Sequence, residues 1–223
     1  ASPDLPFPLL MPPCAASTER NPVNKGFPGN CNAGGKRAAG DVLFFVNQDV
    51  SAIETDIEGK PYSPNWDVWL AQAFDNPQVG VVGAKLIFPD GKVQNAGGLF
   101  DTHCQPFHRG LGYSNHRYFE VNTPETVSWT TGAALAIRRD LFEKLGGFDE
   151  GYIGGYFEDV DLCTRVREAG YSVWYEPRCQ LVHTVGSTGG NPNFLNNAKR
   201  FYDKWVATSK LKPDTTALKE RWW

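Results

Sequence analysis

Segments with helical periodicity alternate with short apolar runs along this chain. The periodicity predicts helices over residues 32–39, 64–75, 139–145, 159–169 and 192–205. Apolar runs predict strands over residues 41–46, 79–88, 127–137 and 171–176, with a further apolar segment at 179–182. Helices that alternate with short apolar strands are typical of an α/β sandwich, so we expect an α/β fold around a mostly parallel sheet.

The predicted helices have recognisable ends. Ser63 and Pro64 are expected to cap and begin the second helix, which Asn76 and Pro77 end. The last helix is expected to be capped by Asn191. Its predicted buried face consists of Phe194, Leu195, Ala198, Phe201, Tyr202 and Trp205.

Two long segments show neither periodicity. Residues 1–23 are rich in proline and small polar residues, which predicts an extended arm. Residues 101–126 contain three of the four histidines and are expected to form a long loop above a site. At 223 residues the chain is interpreted as a single domain, 1–223, with residues 191–223 as a C-terminal helix and tail.

Charge and cysteine content narrow the classes of partner and compartment. A formal net charge of -3, without a basic stripe, argues against nucleic acid and favours small or neutral partners. Five cysteines without a CxxC pair argue against a disulfide framework and favour a reducing cytoplasm. The longest apolar run, residues 42–46, is far shorter than the roughly 20 residues that span a bilayer, so no membrane span is expected.

The first candidate for chemistry follows the first apolar strand. Asn47, Gln48 and Asp49 stand where the carboxyl end of a buried strand would place them, and open α/β sheets bind ligands at that end. Asp49 is therefore a candidate metal ligand. The alternative is a turn aspartate that bonds its own backbone.

The second candidate is the acidic start of the helix at 159–169. Glu158 and Asp159 would meet the positive end of the helix dipole, which predicts ionised carboxylates able to accept a proton from a hydroxyl. Simple helix capping is the alternative for both. Asp161 and Arg165 are four residues apart and are expected to form an ordinary pair on the helix surface.

The third candidate is His183, just beyond the last predicted strand. An imidazole could complete an oxygen-rich Mn²⁺ site, although a lone histidine is more often structural. The seven tryptophans are also ambiguous, because a bare indole can stack on a sugar ring or fill a core.

The order of these features resembles family 2 glycosyltransferases, especially the rhamnosyltransferase-like branch. The similarity covers about residues 24–186 and is most specific from Gly146 to Arg165, where Gly-Phe-Asp is followed by Glu-Asp-Val-Asp-Leu. Other matching stretches are residues 24–27, 30–34, 40–49, 79–85, 90–91, 94–98, 131–138 and His183.

The resemblance implies a GT-A fold and an inverting transfer from a UDP-, dTDP- or GDP-sugar to a hydroxyl of a saccharide or other acceptor. It implies a divalent metal, Mn²⁺ or Mg²⁺, with Asp49 and His183 as ligands. Asp159 matches the catalytic base, and Glu158 is its neighbour in the acceptor site or an alternative base. The implied donor-binding residues are Asn24, Gly26, Asn30, Lys36, Asn47, Gln48 and Asp49, and the implied acceptor or sugar-binding residues are Trp129, Thr131, Gly132, Tyr156 and Phe157.

Two departures from the family pattern keep other functions open. Asn47 replaces the first aspartate of the family's DxD motif, and no β-α-β unit for the nucleotide base precedes Asn24. A non-catalytic nucleotide- or glycan-binding module and a nucleotide-sugar hydrolase are therefore alternatives. The sequence leaves the oligomeric state open.

Overall fold

The structure is a computed structural model that describes residues 21–52, 63, 65–113, 119–184 and 191–214. Most of the proline-rich arm, residues 1–20, lies outside this part of the chain, as do Pro64 and the tail at 215–223.

Five α-helices and nine strands form the described fold. The helices are α1 (Gly26–Gly35), α2 (Trp66–Gln72), α3 (Arg139–Lys144), α4 (Glu158–Glu168) and α5 (Phe194–Phe201). A 3₁₀ turn, Ala73–Asp75, follows α2, another covers Phe119–Val121, and a π-helical turn, Tyr202–Val206, extends α5. The strands are β1 (Val42–Val46), β2 (Val50–Ser51), β3 (Val79–Ile87), β4 (Val93–Asn95), β5 (Gly98–Phe100), β6 (Pro106–His108), β7 (Glu125–Val127), β8 (Ala134–Arg138) and β9 (Ser172–His183).

The main sheet is mixed. Its order is β1-β8-β3-β9-β2, with β4 beside β3 and β7 beside β9, while β5 and β6 form a separate pair. Strands β1, β3 and β9 run in the same direction, as predicted. However, β8 lies antiparallel between β1 and β3, and among the described pairings only β3 with β9 is parallel. The mostly parallel arrangement therefore applies to these three strands and not to the whole ladder.

Helices cover both faces of this sheet. Leu70 and Phe74 of the α2 region pack on one face, in a core shared with small apolar residues of β3 and β8. The other face carries α3, α4 and the C-terminal segment, which supplies Phe201 and Trp205. The result is a three-layer sandwich with an apolar core on each face of the sheet.

Helix α1 begins earlier than predicted and ends before residue 39. The Asn24 side chain accepts the Gly26 N–H at 2.9 Å, and Pro28 falls in the first turn, where a missing N–H costs no helical hydrogen bond. Asn32 was expected at the start of the helix but lies in its middle. There its side chain holds α1 against Phe148, donating to the Phe148 carbonyl and accepting the Phe148 N–H. The prediction of residues 32–39 was wrong because it gave too much weight to the closing glycine.

The predicted strand at 127–137 is two strands separated by a turn. β7 ends at Val127, β8 begins at Ala134, and Trp129 forms an isolated bridge with Gly98 between them. The loop predicted at 101–126 contains β6 and the start of β7. In contrast, the apolar segments at 171–176 and 179–182 form one strand, β9, with a bulge opposite Ala84 and Lys85.

Two predicted helix details are also wrong. Ser63 does not cap α2, because its hydroxyl donates to the carbonyl of Arg178. Leu195 of α5 is 78% exposed, and Tyr202, in the π-helical turn after α5, is about half exposed. Asn197, by contrast, is buried. The inward face of α5 therefore combines Phe201, in the apolar core, with Asn197, which bonds the backbone of the loop before α4.

Candidate functional site

Asp49 and His183 are brought together by the pairing of two strands. Val50 of β2 lies opposite His183 of β9, and the Thr184 N–H donates to the Asp49 carbonyl at 2.9 Å. This short ladder places His183 Nε2 3.1 Å from Asp49 Oδ1. The acidic residue after β1 and the histidine that ends β9 therefore lie at the same end of the sheet.

Gln94 fixes the orientation of His183. Its Oε1 lies 2.7 Å from His183 Nδ1 and can only accept, so Nδ1 carries a proton and Nε2 faces the Asp49 carboxylate. Two acceptors at this distance need a cation between them, which a proton or a metal ion can supply. Ligands about 2.1 Å from one octahedral ion lie about 3 Å apart when adjacent, so this donor set fits Mn²⁺ or Mg²⁺.

Asp49 and His183 supply only two protein ligands. Within the described ranges, no group of three His, Cys, Asp or Glu side chains could hold a metal ion. A metal here would need further oxygen ligands, and the phosphates of a nucleotide or water molecules are suitable sources.

Asp159 is held by the turn that separates β7 from β8. Its Oδ2 accepts the Gly132 N–H at 2.8 Å, its Oδ1 accepts the Val160 N–H at 2.8 Å, and Thr131 donates from its side chain. A Cβ on Gly132 would lie 3.0 Å from the Phe27 ring and 3.5 Å from Asp159 Cβ, so glycine permits this close approach.

Glu158 lies beside Asp159 in a drier environment. It is 5% exposed, and its Oε2 has no hydrogen-bond partner among the described residues. Burial, together with the charge of Asp159, raises the pKa of Glu158 well above its usual range. Burial also raises the pKa of Asp159, although the N–H donors of Gly132 and Val160 oppose that effect. Desolvation therefore opposes the helix dipole at both carboxyls, an effect that the prediction of ionised carboxylates from the sequence did not include.

The backbone before α4 is unusual. Gly154, Gly155, Tyr156 and Phe157 all have positive φ angles, of 81°, 131°, 71° and 73°. A left-handed conformation is costly for residues with a Cβ, and such residues concentrate at functional sites. This strained segment leads directly into Glu158 and Asp159.

The two halves of the site are joined through β1 and β8. Val46 pairs with Ala134, and the Asn47 N–H donates to the Ala133 carbonyl at 3.0 Å. Ala133 is adjacent to Gly132, which binds Asp159. The Asp49 turn and the Asp159 carboxylate therefore lie at the same end of the main sheet.

The structure distributes the implied acceptor and donor residues unevenly. Thr131 and Gly132 hold Asp159, while Tyr156 is half-exposed beside it. Trp129 is 3% exposed: its indole N–H donates to the Leu99 carbonyl and its ring covers Gly98, so it offers no free face to a sugar. Phe157 is partly buried against Phe201.

The implied donor residues on and before α1 have the following contacts in the structure. Gly26 packs against the backbone of Gly154, and Asn24 caps the helix. Asn30 accepts a hydrogen bond from Asn21, and Lys36 is exposed at the end of α1. Asn47 and Gln48 occupy the turn that carries Asp49.

Asp161 is not a surface residue. It is fully buried, and its carboxylate is bonded to Arg165, Tyr152, Trp205 and Lys204. The four-residue spacing correctly predicted the contact with Arg165, but the remaining partners come from distant parts of the chain. Gln94 was likewise missed, because no local signal links it to a histidine 89 positions away.

The sequence of the chain is similar to a family model and to several named proteins. The family model for the N-terminal domain of galactosyltransferase matches residues 115–183. The chain is 31% identical over 170 residues to the O-antigen biosynthesis protein RfbC of Myxococcus xanthus, covering 70% of this chain and 12% of that protein. It is also 31% identical over 159 residues to the N-acetylglucosaminyl-diphospho-decaprenol L-rhamnosyltransferase of Mycobacterium tuberculosis, covering 66% of this chain and 51% of the enzyme.

A solved structure shows the fold. The crystal structure of GalNAc-T7 with UDP, GalNAc and Mn²⁺ matches with a TM-score of 0.66 at 18% identity, covering 86% of this chain and 38% of that one. This chain thus spans only part of its relatives' length. In the part of it that the structure describes, none of the helices combines the length and apolar character needed to cross a bilayer. The chain belongs to the family 2 glycosyltransferases with the GT-A fold, in the rhamnosyltransferase-like group.

Proposed function

We propose that this chain is the catalytic part of a metal-dependent, inverting glycosyltransferase that moves a sugar from a nucleotide-sugar donor to an acceptor hydroxyl. The observation that carries the proposal is that the Asp49–His183 pair and Asp159 lie at the same end of the main sheet. The Asp49–His183 pair suits a cation, and Asp159 suits a proton acceptor. Relatives named as glycosyltransferases support the class of reaction.

The donor side is assigned to Asp49 and His183. With Gln94 fixing the imidazole, both residues direct acceptor atoms towards one position, where they would hold Mn²⁺ or Mg²⁺. A bound divalent ion supplies Lewis-acid stabilisation of the leaving diphosphate. The Asp49 carboxylate alone would repel that diphosphate, so we expect the donor to bind poorly without the ion.

The acceptor side is assigned to Asp159 and Glu158. Both pKa values are raised by burial, but Asp159 keeps donors that favour its ionised form, whereas Glu158 Oε2 lacks any among the described residues. Asp159 is therefore the first of the pair to lose its proton. We assign it as the base and Glu158 as a neutral carboxyl that can donate to an acceptor oxygen.

The proposed transfer is a single displacement. Asp159 takes the proton of the acceptor hydroxyl while the oxygen attacks the anomeric carbon on the face opposite the leaving diphosphate, which inverts the configuration. A raised pKa makes Asp159 a stronger base than an ordinary aspartate at neutral pH.

Calorimetry with UDP, GDP and dTDP, each with and without Mn²⁺, tests the donor side. We expect binding of one nucleotide to require Mn²⁺ and to weaken strongly in Asp49→Ala, while Asp75→Ala, an exposed aspartate after α2, behaves as wild type. Equal affinity in EDTA would remove the metal from the proposal.

An assay of Asp159→Asn tests the acceptor side. The variant should keep its fold and nucleotide affinity, and lose about 10²- to 10⁴-fold in kcat, which is the usual contribution of a general base. Full turnover in the variant would exclude Asp159 as the base. Release of free sugar at the same rate with and without acceptor would identify a hydrolase instead.

A further inference from the structure

The four left-handed residues before α4 are held by side chains from the C-terminal segment. Asn197 of α5 is 2% exposed and lies against this loop. Its Oδ1 accepts the Ile153 N–H at 3.1 Å, and its Nδ2 lies 2.6 Å from the Gly155 carbonyl and 3.1 Å from the Ile153 carbonyl. The carbonyl of Tyr156 is also within reach, at 3.3 Å.

Asn191 repeats this contact from the chain just before α5. Its Nδ2 donates to the Ile153 carbonyl at 2.8 Å and to the Gly155 carbonyl at 2.7 Å. Its Oδ1 accepts the N–H of Asn193, which fixes the amide with its nitrogen towards the loop. A Cβ on Gly154 would lie 3.1 Å from this amide, so the loop and Asn191 are in close contact.

Only an amide side chain can make this set of bonds. The loop presents one N–H and several carbonyls to the same small region, so a side chain must both donate and accept there. An aspartate would face the carbonyls with a second acceptor, and an aliphatic residue would leave buried backbone groups unpaired. The carbonyls that point to α5 are those of the residues that adopt, or directly precede, the left-handed conformation.

We propose that Asn197 and Asn191 are positioning residues of the catalytic loop. They hold Ile153 to Phe157 in a conformation that the loop would otherwise leave, and they thereby set the direction in which Glu158 and Asp159 emerge. The proposal rests on the function proposed above, because it assigns these carboxyls to catalysis. It makes the C-terminal helix part of the catalytic machinery, although neither asparagine touches a reacting group.

A purely structural role makes a different prediction. A buried asparagine that only supports the fold would, when removed, lower the melting temperature and increase exchange throughout the domain, with kcat per folded molecule unchanged. A positioning residue changes the local conformation and the chemical step while the donor site, on the Asp49 side, stays intact.

The first experiment is hydrogen–deuterium exchange on Asn197→Ala and wild type. We expect faster exchange in peptides covering residues 153–158, with unchanged protection in β3 and β9. The neighbouring Asn196 is exposed on the same helix, and Asn196→Ala should match wild type. Unchanged exchange at 153–158, or faster exchange everywhere, would overturn the proposal.

Kinetics on the same variants give the second measurement. Asn197→Ala should lower kcat by at least about tenfold, because a misplaced catalytic group is costly, and leave the donor KM within about twofold. An unchanged kcat would show that the asparagine is only structural. If Asn197→Ala does not fold, Asn191→Ala, at a less buried position, should show the same pattern more weakly. Wild type without any transferase activity would refute the proposed function, whereas the exchange experiment would still test whether α5 holds the loop.

Discussion

Glu158 illustrates how one buried group creates a testable dependence on pH. Its pKa is raised in the folded chain, while the unfolded chain has the ordinary value of about 4.3. The folded state therefore binds the proton more tightly, and the free energy of unfolding falls as the pH rises from about 4 through the folded pKa. Burial of the Glu158 carboxyl therefore costs free energy of folding at neutral pH.

Glu158→Gln should remove part of this dependence. We expect a melting temperature above that of wild type at pH 7 to 8 and a smaller difference near pH 4, where the wild-type carboxyl is increasingly protonated in the unfolded chain too. Glu168→Gln, on the exposed end of the same helix, should leave the pH profile unchanged. A Glu158→Gln profile parallel to that of wild type would contradict the assignment of a raised pKa to this residue.

Gln94 gives a second prediction at the residue scale, for the metal site. In Gln94→Leu the Nδ1 partner of His183 is lost, so the ring is free to change tautomer and rotate. We expect Mn²⁺ affinity, measured with nucleotide present, to fall about 10- to 100-fold, as is usual when the orienting partner of a ligand is removed. The exposed Gln72→Leu provides the control, and an equal loss in both variants would contradict the role of Gln94.

The individual site residues were predictable to different degrees. The type and spacing of Asp49, Asp159 and His183 could be interpreted through the family resemblance, and the structure brings Asp49 and His183 into contact. Their roles remain proposals. The roles of Gln94 and Asn197 could not be predicted, since each acts through a contact with a segment more than 40 positions away.

At the scale of elements, the apolar runs were the most reliable signals. Residues 41–46, 79–88 and 139–145 match β1, β3 and α3 within one residue at each end, because burial on regular elements leaves a clear pattern. Helices α1 and α5 were predicted less well. Their docking faces carry Asn32 and Asn197, which bond backbone groups and therefore look like solvent-exposed positions in the sequence.

Gly98 tests the packing between β5 and the turn after β7. A Cβ at this position would lie 2.1 Å from an atom of the Trp129 ring, a distance that real contacts do not reach. Because Trp129 is buried and its N–H is bonded, it cannot move away easily. We expect Gly98→Ala to destabilise the fold by about 1–3 kcal/mol, as for other overpacked cores.

Chemical denaturation with a matched glycine checks this prediction. Gly34 of α1 has no atom within 4 Å of a built Cβ, so Gly34→Ala should be neutral or slightly stabilising. Equal midpoints for Gly98→Ala and wild type would show that Trp129 and its neighbours can rearrange.

At the scale of the whole molecule, the topology was only partly predictable. Apolar runs indicate which strands are buried but not their direction, so the antiparallel insertion of β8 between β1 and β3 left no signal. The insertion has a functional consequence. It brings the turn with Thr131 and Gly132 to the end of β1, beside the turn that contains Asn47 and Asp49.

One buried carboxylate, that of Asp161, connects α4 to the segment before it and to the C-terminal turn after α5. Asp161 of α4 accepts the Trp205 indole N–H at 2.8 Å and the Tyr152 hydroxyl at 3.1 Å, and it pairs with Arg165 and Lys204 at 2.7 Å each. These partners come from α4, from the segment before it and from the C-terminal turn after α5. The same turn follows the helix that carries Asn197. The contacts of Asp161 and Asn197 therefore fasten the C-terminal segment on both sides of residues 153–157.

Asp161→Ala should therefore be the most destabilising of the changes considered at carboxylates. It leaves Arg165 and Lys204 without their buried partner and two donors unpaired, and removing one member of a buried ion pair costs about 3–5 kcal/mol. Asp203→Ala is the matched control, because its pair with Lys199 is exposed and worth at most about 1 kcal/mol. Urea midpoints of both variants measure the difference, and exchange at residues 194–211 locates it. If Asp161→Ala unfolded at the same urea concentration as Asp203→Ala, Asp161 would not contribute measurably to holding the C-terminal segment, and its other contacts, such as those of Phe201 and Asn197, would carry the stability.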